Sequence, residues 1–151
     1  MSISTRGVLL EFENGRPRVL PDAAAALRNI AAKADVYLVT TLPEDSDACE
    51  AATLEALKSG GVFADGGCEQ RKALFCATED GRSAIARQLS PACHVDTSPK
   101  VLQYLAPHLP RVVYVTAAGA PLDTPPGAPG AVRARSLAEY AAVLTIAEPS
   151  S

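Results

Sequence analysis

Residues 72–97 read KALFCATEDGRSAIARQLSPACHVDT, and this block predicts the fold. Ala73 to Ala77 is a short apolar run of strand length. Thr78 stands where a helix N-cap belongs, and Ser83 to Leu89 follows at helical spacing. Cys93-His94-Val95-Asp96 then returns as a second buried strand. Strand, capped helix, strand is the repeat unit of a parallel sheet covered by helices.

The flanking sequence extends the pattern in both directions. Gly7 to Phe12 reads as a first strand ended by the Asn14-Gly15 turn, and Asp22 is positioned to cap an Ala-rich helix running to about Lys33. The β-branched run Val36 to Leu42 predicts a buried second strand. Asp47 and Glu50 have capping-box spacing, and the helix Cys49 to Lys58 stops at Gly60-Gly61. Ser98-Pro99 opens a further helix, ending near Pro107. Val112 to Thr116 is another strand, and Val132 starts a short last one. Ser136 and Glu139 open a helix to about Ile146. Between them, Ala118 to Gly130 holds four prolines and three glycines in thirteen positions, which neither propagates a helix nor pairs within a sheet. The prediction is a single domain over residues 1–151 of the α/β class. It is Rossmann-like and three-layered, a doubly wound, mainly parallel sheet of about five to six strands with helices on both faces. A Pro/Gly-rich surface loop is expected at 118–130 and a flexible tail at 147–151.

Bulk properties exclude several function classes. With 48% hydrophobic and 21% charged residues, the chain has the composition of a globular domain. A formal charge of −3, a pI near 5.4 and scattered Lys and Arg give no footprint for nucleic acid. The four cysteines Cys49, Cys68, Cys76 and Cys93 form no CxxC pair, so reduced structural thiols are expected rather than a zinc site. No run of about 20 apolar residues predicts a membrane span, and the C-terminal Ala147-Glu148-Pro149-Ser150-Ser151 is not a peroxisomal matrix address of the Ser-Lys-Leu type.

Acidic positions at strand ends raise phosphoryl transfer as one reading. Ligands in such folds sit at the carboxyl ends of the strands, where this reading places Glu11 and Glu13, Thr40 and Thr41, and Asp96. The arrangement, with His94-Val95-Asp96-Thr97-Ser98-Pro99 leading into a helix, resembles the haloacid dehalogenase superfamily. There an Asp-x-Asp supplies nucleophile and acid, a Thr or Ser holds phosphate, and later acidic residues bind magnesium. Here Glu11-Phe12-Glu13 replaces Asp-x-Asp, and each added methylene displaces a carboxylate from near-attack geometry. Thr97 takes the place of a second magnesium-binding carboxylate beside Asp96. Lys72 precedes a strand as a phosphate-binding lysine would, although an exposed lysine in that place is usually solvated. His94 and Asp96 share one face of their strand, so an imidazole-carboxylate contact is expected, serving structure rather than acid-base work. Arg82, Arg87 and Gln88 are expected to face solvent or a partner protein, with Ile85 and Leu89 turned inward. No glycine pattern cradles a nucleotide, so no catalytic, cofactor or metal residues are assigned.

The block also resembles a particular family. The pattern Lys72, Leu74-Phe75-Cys76, Thr78-Glu79, Gly81-Arg82, Arg87-Gln88-Leu89, Pro91, His94 and Asp96-Thr97 is similar to the soluble domain of the plant and green-algal peroxisome biogenesis protein 22 (peroxin 22) family. Weaker echoes extend the resemblance over about 7–144. It implies a Rossmann-like domain without catalysis of its own, on the cytosolic face of the peroxisomal membrane. Such a domain binds and activates the peroxisomal ubiquitin-conjugating enzyme, peroxin 4, supporting ubiquitination and recycling of the import receptor. Membrane attachment then comes only through an anchor that this chain lacks. A docking surface of roughly 800 Å² per partner is expected. Candidate partner-binding residues are Tyr104, His108 and Tyr140, since aromatic side chains favour interfaces; Tyr140, sharing a helical face with Leu137, Ala141 and Leu144, is equally a core position.

Overall fold

The computed structural model describes residues 1–64, 66–116 and 130–147. The 118–130 loop, all but Gly130, and nearly all of the 147–151 tail lie outside the described residues. Strand β1 (Ser2–Ser4) is followed by a hairpin, β2 (Leu10–Glu13) and β3 (Arg16–Val19), then α1 (Ala23–Ala31), β4 (Tyr37–Thr41) and α2 (Asp47–Ser59). The second half holds β5 (Ala73–Cys76), α3 (Glu79–Leu89), β6 (Cys93–Asp96), α4 (Pro99–Leu105), β7 (Arg111–Val115), β8 (Val132–Ala134) and α5 (Leu137–Ala147).

Six strands pair in the order β5-β4-β1-β6-β7-β8, every pair parallel. The α/β doubly wound prediction therefore holds, with one correction. The first sheet strand is Ser2-Ile3-Ser4 and not Gly7 to Phe12. Leu10–Glu13 instead pairs antiparallel with Arg16–Val19 across a tight turn. Both turn residues, Asn14 (φ 53°) and Gly15 (φ 77°), have the left-handed backbone that two-residue hairpins require.

Local signals account for the helix starts. The hydroxyls of Ser46, Thr78, Ser98 and Ser136 accept from the backbone N–H three residues on, each satisfying a donor that the first helical turn leaves open. Ser46, one residue before the expected Asp47, is thus the cap of α2. Asp22 stands before α1 but makes no capping bond, because its own backbone is left-handed (φ 63°).

Side-chain alternation divides the sheet into two unlike faces. Ile3, Leu38, Val95, Val113 and Val115 join α1 and α5 residues in the main apolar core. On the other face Val112 packs with Ala86, Val101, Leu102 and Leu105 of α3 and α4 in a smaller core. The two central strands bring that second face polar groups instead: Ser2 from β1, His94 and Asp96 from β6, all buried.

Candidate functional site

The chain runs outward from β1 to β4 and β5, then returns to β6 on the other side of β1. In open parallel sheets that reversal marks the crevice where ligands bind, outside the carboxyl ends of the strands. Thr40 and Thr41 end β4 and Asp96 ends β6. After β1 come Thr5, Arg6 and Gly7, so residues spaced as Asp-x-Asp are Ser4 and Arg6, or Thr5 and Gly7. Neither pair contains a carboxylate. Thr5 and Thr40 share a buried hydroxyl hydrogen bond of 2.7 Å.

Glu11 and Glu13, expected at the end of the first strand, belong to the hairpin. Glu11 pairs with Arg18 on β3 (4.0 Å), and Glu13 with the same residue (3.9 Å). Both are solvated pairs that contribute little. The structure therefore brings Thr40 and Asp96 to the crevice and leaves Glu11 out of any catalytic pairing with them.

The crevice itself is filled from α3. Arg82, expected in solvent, is 7% exposed. Its Nε donates to Asp96 Oδ2 (3.0 Å), one terminal nitrogen to Asp96 Oδ1 (3.1 Å) and the other to Thr41 Oγ1 (2.8 Å). This two-pronged guanidinium-carboxylate geometry is the strong form of ion pair. Sequence carried a signal for it. Arg82 precedes Ile85, Ala86 and Leu89 by three, four and seven residues, placing it on the inward stripe of α3. Arg87 and Gln88 are exposed as expected.

His94 and Asp96 meet as their shared strand face predicts. His94 Nε2 donates to Asp96 Oδ2 at 2.8 Å, and Nδ1 lies 2.6 Å from Ser2 Oγ on the neighbouring strand. A carboxylate only accepts, so Nε2 carries the hydrogen. With a neutral ring, the Ser2 hydroxyl donates to Nδ1. The backbone N–H groups of Thr97 and Ser98 both donate to Asp96 Oδ1 (2.8 and 2.9 Å). Burial by itself pushes the Asp96 carboxyl upward, but His94, Arg82 and the Ser98 N–H outweigh it and hold the group below its ordinary value. Asp96 is thus a buried anion whose oxygens are saturated by N–H donors.

Other candidates fall elsewhere. Lys72 stands at the start of β5, remote from the strand carboxyl ends; it pairs with Asp35 (3.2 Å) and Glu69 and lies over the Tyr37 ring. Its hydrogen bond to Asp35 raises its pKa, and it is its place before the amino end of β5, not its charge, that keeps it out of the crevice. Tyr104 is 49% exposed, and its ring lies 5.9 Å from that of exposed His108 on the outer side of α4. Tyr140 is 2% exposed in the main core, with its hydroxyl 3.6 Å from Cys93 Sγ. That removes it from the partner-binding candidates, as the apolar stripe of α5 covers the sheet. All four cysteines are free thiols.

Fold and site together define a class: a haloacid-dehalogenase-like α/β domain whose strand-end carboxylate pair is replaced and whose crevice is closed by an internal ion pair. The family model described as "Peroxisome biogenesis protein 22, Haloacid dehydrogenase-like domain" matches residues 4–125. The chain belongs to that family. It is 42% identical over 80 residues to Peroxisome biogenesis protein 22 of Arabidopsis thaliana, a match covering 53% of this chain and 28% of that protein. The match thus spans under a third of the plant protein's length.

Among solved structures, D,D-heptose 1,7-bisphosphate phosphatase from B. bronchiseptica, complexed with magnesium and phosphate, superposes with a TM-score of 0.71 at 18% identity, covering 98% of each chain. The same enzyme from Burkholderia thailandensis gives 0.68 at 19% identity, with 97% of each chain covered. These likenesses establish the fold. The residues here do not suit magnesium. It wants near-octahedral oxygen ligands, whereas Asp96 has its oxygens occupied by N–H donors and a guanidinium stands beside it. Among the described residues no group of three or more His, Cys, Asp or Glu side chains is arranged to hold a metal. No described helix is long and apolar enough to cross a membrane.

Proposed function

We propose that this domain acts as a non-catalytic docking and activating partner of the peroxisomal ubiquitin-conjugating enzyme, peroxin 4, at the cytosolic face of the peroxisomal membrane. In that setting it supports ubiquitination and recycling of the import receptor. The observation that carries the reading is the state of Asp96. The Asp96 carboxylate that the phosphatase pattern would need is spent on Arg82, His94 and two backbone N–H groups, and the neighbouring Glu79 lies 3.7 Å from Arg82 and accepts from the Ser98 hydroxyl (2.9 Å). Family membership supports the choice of partner. A rigid domain can activate an enzyme without chemistry of its own by binding one conformation of that enzyme more tightly than another.

Tyr104 and His108 are the proposed partner contacts. Tyr104 on α4 and His108 in the turn after it form an aromatic pair, and Tyr104 is the exposed large hydrophobic side chain among the described residues. Calorimetric titration of peroxin 4 into this chain, followed by a ubiquitin-discharge assay, tests the reading. Association at micromolar or tighter concentration with faster discharge supports it; no heat of binding and an unchanged discharge rate refute it.

The competing reading, a magnesium phosphatase, draws on the fold likeness to heptose bisphosphate phosphatases. It would require Arg82 to leave Asp96 and a carboxylate nucleophile after β1, where Ser4, Thr5 and Arg6 supply none.

A further inference from the structure

An open sheet leaves backbone groups unpaired along its two edge strands, and the two edges of this sheet are unlike. At one side β8 carries the exposed Arg133 at its centre, a charge that resists the addition of another strand. At the other side β5 reads Ala73-Leu74-Phe75-Cys76, with neither a charge nor a proline. All four residues are only part-buried, and among the described residues β5 pairs with β4 alone.

The ladder to β4 fixes which backbone groups face outward. The Leu42 N–H donates to the Cys76 C=O (2.8 Å), so Cys76, and Leu74 two residues before it, turn their N–H and C=O toward β4. Phe75, between them, turns both of its groups away from the sheet. Ala77 is next in the alternation, and its N–H has no backbone acceptor among the described residues. Ala73 keeps its C=O outward, while its N–H is closed on the Gln70 C=O.

These outward groups complement one another. Two copies of β5 laid antiparallel about Phe75 form a hydrogen-bonded pair in which each Phe75 N–H donates to the other's C=O, and each Ala77 N–H faces the Ala73 C=O of the other copy. The flanking charges favour the same arrangement. Exposed Arg71 precedes the strand, and half-exposed Glu79 and exposed Asp80 follow it, so antiparallel apposition sets the basic end of each copy against the acidic end of the other. Within one chain Arg71 pairs with Glu69 (2.9 Å), and Lys100 with Glu79 (3.9 Å) and Asp80 (3.5 Å). Such solvated pairs are weak and exchange partners easily. Lys72 stays with Asp35 and Glu69.

We propose that β5 is a self-association edge, along which two copies of this chain join antiparallel about Phe75 into one continuous, two-fold symmetric sheet. The inference does not rest on the docking reading. Helix α4, which carries Tyr104, packs over β6 and β7, away from this edge, so the docking surface stays free in the dimer. A seam of one short strand is small, and the dimer is accordingly weak, dissociated at low micromolar concentration and formed toward about 1 mM.

Amide hydrogen exchange of the ¹⁵N-labelled chain from about 20 μM to about 1 mM, with sedimentation velocity at the same concentrations, tests the proposal. Exchange at Phe75 and Ala77 should slow about threefold or more across that range, in step with the dimer fraction, while Leu74 and Cys76, bonded to β4, stay protected throughout. Phe75→Pro deletes the outward N–H and leaves the bonds to β4, as proline is tolerated on an edge strand whose N–H faces solvent; it should abolish the dimer. Should that variant not fold, charge reversal decides. Arg71→Glu and Asp80→Lys, both on exposed side chains, should each weaken dimerisation about threefold, and the two together should restore it. A chain that sediments as a monomer at the highest concentration, a dimer in which Phe75 and Ala77 exchange as fast as in the monomer, or reversals that do not rescue one another would overturn the proposal. So would protection of Phe75 that appears only with peroxin 4, which would assign the edge to a strand of that partner.

Discussion

Replacing Arg82 by Met tests the internal ion pair, because Met fills much of the same apolar volume while removing the guanidinium. Three hydrogen bonds disappear, two to Asp96 and one to Thr41. Asp96 then remains fully buried with only His94 and two backbone N–H groups beside it. Stranding one member of a buried pair costs about 3–5 kcal/mol, and a domain of this size loses roughly 2–4 °C of Tm per kcal/mol. The expected drop is therefore roughly 6–20 °C, with the urea midpoint falling at constant m-value. The pair Arg82→Met and Asp96→Asn should be non-additive by about 1 kcal/mol or more, since each change removes the other's partner. The pH dependence has a definite sign. The Asp96 pKa is depressed on folding, so its contribution is present above the unfolded value of about 4 and is lost as pH falls through the folded value. The gap between parent and Arg82→Met should thus be widest near neutral pH and narrow in acid. A loss under about 1 kcal/mol, or a gap that grows in acid, would refute the reasoning.

Other changes separate core from surface. Tyr140→Ala should lose about 3–5 kcal/mol in urea unfolding, whereas Tyr104→Ala should stay within about 0.5 kcal/mol of the parent yet weaken partner binding about tenfold. Burial pushes the Cys68 thiol up to about 11 and raises that of Cys93 as well, so in the folded chain at pH 8 a thiol reagent should modify half-buried Cys49 and Cys76 well before these two, and all four together in denaturant. Gly7→Ala should destabilise by about 1–2 kcal/mol, because Gly7 has φ 81° and an added Cβ would lie 3.0 Å from Thr97 Cγ2; an unchanged unfolding midpoint would show that the turn after β1 relaxes freely.

The repeat unit at 72–97 was legible because its determinants are local. Thr78 and Ser98 are capping residues, Pro99 is placed at a first helical turn, and alternation puts His94 and Asp96 on one face. The first strand escaped sequence reasoning for a physical reason. Ser2-Ile3-Ser4 is three residues long and two-thirds polar, and its hydroxyls are tolerated in the sheet because they face buried polar partners such as His94. The stronger apolar signal at Gly7 to Phe12 belongs instead to a hairpin that lays Leu9 and Leu10 into the core. That shift moved Glu11 and Glu13 off the strand end and left Asp96 as the expected carboxylate that the crevice retains. Arg82 was misjudged from its charge alone, since its helical phase matches the inward stripe. What completes the site, a carboxylate fourteen residues later on the next strand, is a long-range pairing that periodicity does not encode.

The central claim is that the crevice holds a structural ion pair and performs no phosphoryl transfer. Hydrolysis of p-nitrophenyl phosphate by the purified chain, followed across a magnesium titration, tests it most directly. The account predicts a rate equal to the protein-free blank at every magnesium concentration. Magnesium-dependent turnover that is abolished by Asp96→Asn would contradict it.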